Sequence, residues 1–273
     1  MTVVLGLAAA VAWATMNIPL QRGARALDGR AMLFWILLAG TSVVIPVALL
    51  VDGLQGPFTP RSLAVPVLAG LIANVGFLCL AQALRAGSIS VVAPIIALEG
   101  GLGTLLSIAL GERPSPLALG LLAIAVAGTV MVSYEPGARA AKGALWALVA
   151  AVCYAGVLTA LGYTDQPALT SAGLVRSISL LAAVPLLLLA TTRNPRGSLR
   201  LLLLAGALDA AGIATFAFAA ALGPSSVATV AASQFGTVAA LIGIIVLRER
   251  LAPSQYVGIA VTAVAITGLG AFG

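Results

Sequence analysis

The sequence predicts an all-α membrane protein of ten transmembrane helices, arranged as two inverted-topology five-helix repeats, and three observations carry that fold class. Hydrophobic residues fill 61% of the 273 positions and charged residues only 8%, where a soluble domain carries about 25% charged. There is too little polar side chain to coat a water-soluble globule. The apolar residues also run unbroken, in stretches of the length a bilayer demands, about 20 residues at 1.5 Å rise. Third, the second half of the chain nearly matches the first at a steady offset, which carries Leu68 onto Leu204.

Spans are expected near 2–21, 31–51, 62–84, 89–110, 116–134, 143–163, 168–190, 200–221, 225–247 and 253–272. The first begins at the initiator Met with no basic segment before it, and reads as a permanent span rather than a cleaved signal. Turn dipeptides separate the rest: Asp28-Gly29, Asp52-Gly53, Gly56-Pro57, Pro136-Gly137, Asn194-Pro195 and Gly223-Pro224. Pro116 and Pro253 stand just inside two helix starts, where a missing N–H costs nothing. Strands fit poorly, because a membrane barrel needs alternating segments of about 10 residues, and these runs are continuous in Ala and Leu.

Composition narrows the function as well. The net charge of +6 is scattered among apolar runs and forms no nucleic-acid stripe. The chain has no His, the commonest general base and a common metal ligand, so it does not read as an enzyme. Cys79 and Cys153 both sit in apolar runs, against a disulfide framework or a zinc site. Gly100-Gly101-x-Gly103 lacks the Lys-Ser/Thr of a phosphate loop and lies inside a span. No cofactor is therefore expected, and ATP is not the expected energy source. The partners are a small-molecule substrate and the lipid bilayer, with a proton as candidate coupling ion.

The internal match divides the chain into residues 1–137 and 138–273. Leu68-Ala69-Gly70 parallels Leu204-Ala205-Gly206, Ala83–Gly87 parallels Ala219–Gly223, and Ser90-Val91 parallels Ser226-Val227. Gly111-Glu112-Arg113 parallels Arg248-Glu249-Arg250, each followed three residues later by Pro. Five spans per half is odd, so the second half enters the membrane from the opposite side. Inverted repeats of this kind are a mark of secondary transporters, with the substrate between the halves near mid-membrane. A passive channel would need a continuous ring of matched polar groups, and a scaffold without transport is the other alternative. Eleven Lys and Arg fall on one side of such a topology, and only Arg61 and Arg113 on the other. The positive-inside rule then puts the eleven in the cytoplasm and both termini outside, in the cell's inner membrane.

Ten spans, two five-span repeats and a Gly-Glu-Arg or Arg-Glu-Arg turn followed by Pro after the fourth and ninth spans resemble the EamA-type drug/metabolite transporters. Trp13 in the first span, Tyr154 at the matching place in the sixth and the Ala-Leu-Arg-x-Gly turn at Ala83–Gly87 fit too. The family's Trp-Gly-Ser-Asn start is here Trp13-Ala-Thr-Met-Asn17, with the Asn one place later. The resemblance implies export of amino acids, metabolites or toxic compounds by alternating access. The cavity would be lined mainly by the first, third, fourth, sixth, eighth and ninth spans. Some members exchange substrate for protons, and one branch exports aromatic amino acids.

Polar residues inside the spans are the candidate cavity residues, because ionisable groups there are costly and usually mark a pathway. Glu99 lies near the middle of the fourth span and Asp209 near the middle of the eighth. Either could bind a substrate ammonium or carry a proton, or be a protonated carboxyl bonded to a neighbouring helix. Arg176 is expected to snorkel toward the near end of the seventh span, toward Asp165. Ser226, Thr229, Ser233 and Thr237 share one face of the ninth span, with Gln234 adjacent; that stripe is a cavity wall or a packing seam. Trp13 and Asn17 share a face of the first span beside Pro19, and Asn74, Leu78 and Gln82 a face of the third; amides in lipid want partners, so both faces should look inward. Gly100, Thr104, Ser107 and Gly111 suggest close packing, and Pro94 in the same span permits a kink. Trp13 and Tyr154 could stack on a ligand or be core aromatics. Trp35 and Tyr163 lie near span ends, as belt residues do.

Overall fold

In the computed structural model, the backbone is described outside residues 24–26, 87–91, 93–94, 134–142, 192–194, 196, 246–251 and 273. Side chains are described outside these and 17, 18, 20–23, 84, 133, 239–240 and 243–245. Pro94, expected as a cavity residue, lies outside the described residues, and so does the side chain of Asn17. Every regular element among the described residues is a helix. They are α1 (Thr2–Gly23), α2 (Gly29–Val51), α3 (Pro60–Ala86), α4 (Glu99–Ala109), α5 (Pro116–Ser133), α6 (Ala144–Gly162), α7 (Ala168–Leu188), α8 (Leu199–Leu222), α9 (Ser225–Ala232), α10 (Phe235–Ile245) and α11 (Pro253–Phe272).

Six of them, α2, α3, α6, α7, α8 and α11, are long and apolar enough to cross a membrane. α1 and α5 add the shorter apolar stretches Thr2–Met16 and Pro116–Val132. The outer surface agrees with that reading. Leu50 is 87% exposed, Leu145 71%, and Leu181 and Val264 70% each, a surface water would not tolerate and lipid covers. The chain is a multi-pass helical membrane protein.

Two expected spans differ from simple rods. The 225–247 span is two helices, α9 and α10, joined by a tightened turn at Ser233 and Gln234. There the Gln234 N–H donates three residues back, to the Ala231 carbonyl at 3.3 Å. The Val230 carbonyl freed by that shift is taken by the Gln234 Nε2 and Ser233 Oγ, each at 2.9 Å. Short polar side chains that compete for a carbonyl bend a helix in this way. In the 89–110 span the Leu98 N–H likewise donates three residues back, to Ile95 at 3.2 Å, and α4 starts afresh at Glu99. Leu98 and Gln234 stand at the same offset as Leu68 and Leu204, so the two tightened turns occupy matching places in the two halves. Side chains plug the second. The matching residues of the first, Ala97 and Leu98, carry no polar group.

Helices of the two halves interleave. α1 lies on α8 and α3 on α6; α2 crosses α7 and α8, and α7 also crosses α3. α4 lies against α9 and α6, α9 against α1, and α5 pairs with α11. Exchanging the halves maps this set of pairs onto itself. Small residues permit the crossings, since lipid supplies no hydrophobic drive and contact must come from close packing. A Cβ at Gly206 of α8 would fall 2.5 Å from the Ile36 carbonyl of α2 and 2.6 Å from the Ala39 Cβ.

Acidic residues tie the helix ends. Asp28 caps α2 by accepting the Arg30 N–H at 2.9 Å, and its other oxygen takes the Thr191 hydroxyl at 3.0 Å, just beyond α7. Partial burial pushes its carboxyl up, but those donors and the Arg30 charge hold it below its ordinary value. Asp52 ends α2 and accepts the Thr170 N–H at 2.8 Å in the first turn of α7. After α4, Gly111 adopts a φ of +106°. Its N–H bonds the Ile108 carbonyl, and the Glu112 N–H bonds Ser107, both at 3.0 Å, the paired bonds of a Schellman end. That turn delivers the Glu112 carboxylate to the start of α9, where it accepts the Ser226 N–H at 3.2 Å and the Ser226 hydroxyl.

Candidate functional site

α8 presents Gly206, Asp209 and Gly212 at intervals of three, on one face. Gly206 lets α2 approach on one side of the carboxylate. Gly212 leaves room for the Trp13 indole of α1 on the other: a Cβ there would meet the indole Nε1, and lie 2.7 Å from Cε2 and 2.8 Å from Cδ1. In that space Trp13 Nε1 donates to Asp209 Oδ1 at 3.0 Å. The ring rests on Phe216, one turn further along α8, with centroids 6.4 Å apart.

The second oxygen of Asp209 receives Arg176 of α7 at 2.5 Å. This corrects the expectation for Arg176. It does not snorkel toward Asp165; its side chain runs inward and is 6% exposed, against 20% for Asp209. A guanidinium buried among apolar helices is stable only beside an opposite charge, and Asp209 is that charge. Gly40 of α2 lies beside the guanidinium: a Cβ there would make ordinary contact with the Arg176 NH1 at 3.5 Å, but would stand 3.0 Å from the Gly206 carbonyl of α8. The Arg176 Nε has no hydrogen-bond partner among the described residues.

Tyr154 of α6 reaches the same region. Its ring packs on Gly76 of α3, where a Cβ would lie 3.2 Å from Cε1. Glu99 is buried, 4% exposed, and is the first residue of α4. Trp13, Asp209 and Arg176 are thus brought together from α1, α8 and α7.

The other candidates lie elsewhere. Asn74 donates to the Ser179 carbonyl of α7 at 2.9 Å and is buried in the α3–α7 contact. Leu78 is half-buried in an apolar cluster with Phe77 and Ala183, and Gln82 is exposed. Thr229 and Ser233 fill the grooves left by Gly103 and Gly100 of α4, and both are almost wholly buried. Gln234 accepts the Thr129 hydroxyl of α5 at 2.6 Å. The hydroxyl stripe of the ninth span is a packed seam. Ser233 fits the Gly100 groove with its hydroxyl and Thr229 fits the Gly103 groove with its Cγ2 methyl, which closes this face against α4.

Sequence reasoning misses the Arg176–Asp209 pairing, the space Gly212 leaves for Trp13 and the capping role of Glu112. Arg176 is visible as an Arg inside a span. The signal that could have found its partner is that a buried cation and a buried anion in the same bundle each need the other.

The chain matches the model of the EamA-like transporter family twice, over residues 1–134 and 141–271. None of the curated proteins matches it. A solved crystal structure shares its fold with a TM-score of 0.77, over 98% of this chain and 95% of that one, at 20% identity.

Proposed function

The chain belongs to the EamA-like transporter family, and on that footing we propose that it is a secondary transporter of the inner membrane exporting small amphipathic metabolites, foremost neutral or aromatic amino acids. In this reading residues 1–137 and 138–273 are inverted five-span repeats that alternate access to a cavity between them. Both termini face outward, and Glu99 is the candidate proton carrier. The observation that carries the reading is the pair of tightened turns at Leu98 and Gln234, in spans of different halves. Interrupted helices at matching places in two halves point to a central substrate site in secondary transporters. The exchange-symmetric helix pairing and the double family match support the same arrangement.

The test is transport into proteoliposomes of a panel of amino acids and cationic dyes, with and without a pH gradient. Accumulation of an amino acid that responds to the gradient is the expected result. Passive equilibration of every solute, insensitive to the gradient, would favour a channel instead.

A further inference from the structure

The Arg176–Asp209 pair has two features that a purely structural ion pair does not need. Its anion is partly open, 20% exposed, and shared with the indole N–H of Trp13, while its cation is buried and keeps an Nε without a partner among the described residues. A guanidinium offers five donors in a planar fork suited to a carboxylate, and Asp209 meets that fork at a terminal nitrogen.

Resting on the transporter reading above, we propose that Arg176 and Asp209 are the charge-reading residues of the substrate site, and that the ligand they take is a small zwitterion. Its ammonium binds Asp209 from the exposed side, beside Trp13, and its carboxylate takes the Arg176 fork as Asp209 turns away. Charge balance makes this ligand class the fitting one. Empty, the pair is neutral; with a zwitterion inserted there are two pairs and the site is neutral again. A bare amine would leave Arg176 without its anion, and a bare acid would leave Asp209 without its cation, each a lone charge inside the bundle. Trp13, bonded to Asp209, offers an aromatic face to the rest of the ligand.

The proposal is tested on the purified full-length protein by ligand-induced thermal shift and by proteoliposome uptake. The probes are phenylalanine, its methyl ester, N-acetylphenylalanine, phenylethylamine and phenylpropionate. Phenylalanine should bind wild type roughly 10- to 100-fold more tightly than any of the four, the loss expected when a hydrogen bond to a charged group goes unmade. In the double variant Arg176→Gln/Asp209→Asn, which keeps no unpaired buried charge, that preference should fall to within about twofold. If wild type binds the ester or the N-acetyl compound as well as phenylalanine, the zwitterion assignment is wrong while the transporter reading stands. The assignment fails likewise if the double variant keeps its preference, because the pair is then structural. If wild type neither binds nor moves any of the probes or the wider amino-acid panel, the exporter reading falls and the assignment with it.

Discussion

Gly212→Ala is a one-methyl change whose cost can be worked from the structure. The new Cβ would stand 2.7 and 2.8 Å from two indole carbons of Trp13, where carbon atoms settle about 3.5–4.0 Å apart. The ring must therefore retreat by roughly 1 Å on that scale. Gly212, Asp209 and Phe216 all stand on α8, so a ring that backs away from Gly212 carries its indole N–H away from Asp209. Overpacking of a filled site costs about 1–3 kcal/mol, and a lost hydrogen bond to a charged group about 1.5–3 kcal/mol. Together they give about 2.5–6 kcal/mol, with the lower end favoured because Asp209 is partly exposed. Thermal unfolding of the purified variant in detergent or nanodiscs reads the change against wild type. Trp13→Ala/Gly212→Ala supplies the decisive comparison: with the ring gone the added methyl meets nothing rigid, so the double variant should be less destabilised than the two singles summed. Gly120→Ala is the control, since a Cβ there meets no atom within 4 Å. A Gly212→Ala protein as stable as wild type to within about 0.5 kcal/mol, or strict additivity in the cycle, would refute the assignment of Gly212 as the space for the indole.

Glu112→Ala should destabilise the protein by about 1 kcal/mol, as loss of a helix cap does, and Glu112→Gln by less; equal unfolding of all three would remove the capping role. Glu99→Gln keeps shape and hydrogen-bonding capacity while ending titration, so its membrane yield should match wild type while the pH dependence of transport flattens. An unchanged pH series would make Glu99 structural. Cysteine in place of Ser233 or Thr229, in a background without Cys79 and Cys153, should resist a small polar thiol reagent, because both sites are packed into glycine grooves; rapid labelling there would reopen that seam as a water path. A reporter active only outside the cytoplasm should be active after Gly273 and silent after Asn194, and the reverse pattern would invert the orientation.

By itself the sequence determined what is set by composition and period. The excess of apolar residues and the scarcity of charge dictate a bilayer as solvent, because no arrangement of 8% charged residues coats a soluble protein of this size. Turn dipeptides and span length fixed most helix boundaries to within a few residues, since a helix in lipid must satisfy its own backbone and ends where turn residues permit. The cost of polar groups in lipid marked Glu99, Asp209 and the Trp13 face of the first span as candidates. Only the tertiary structure decided which of them meet. Arg176 and Asp209 stand on different helices, and nothing in either segment names the other. The pair lies beside the α2–α8 crossing at Gly40 and Gly206, a long-range fit of backbones. The interruption at Ser233 and Gln234 was equally hidden. Those residues belong to a regular polar stripe, and whether a hydroxyl faces water, a neighbouring helix or its own carbonyl depends on what stands opposite. Here glycines of α4 stand opposite, so the stripe closes into a seam, and the charged pair on α7 and α8 is left as the polar centre of the bundle.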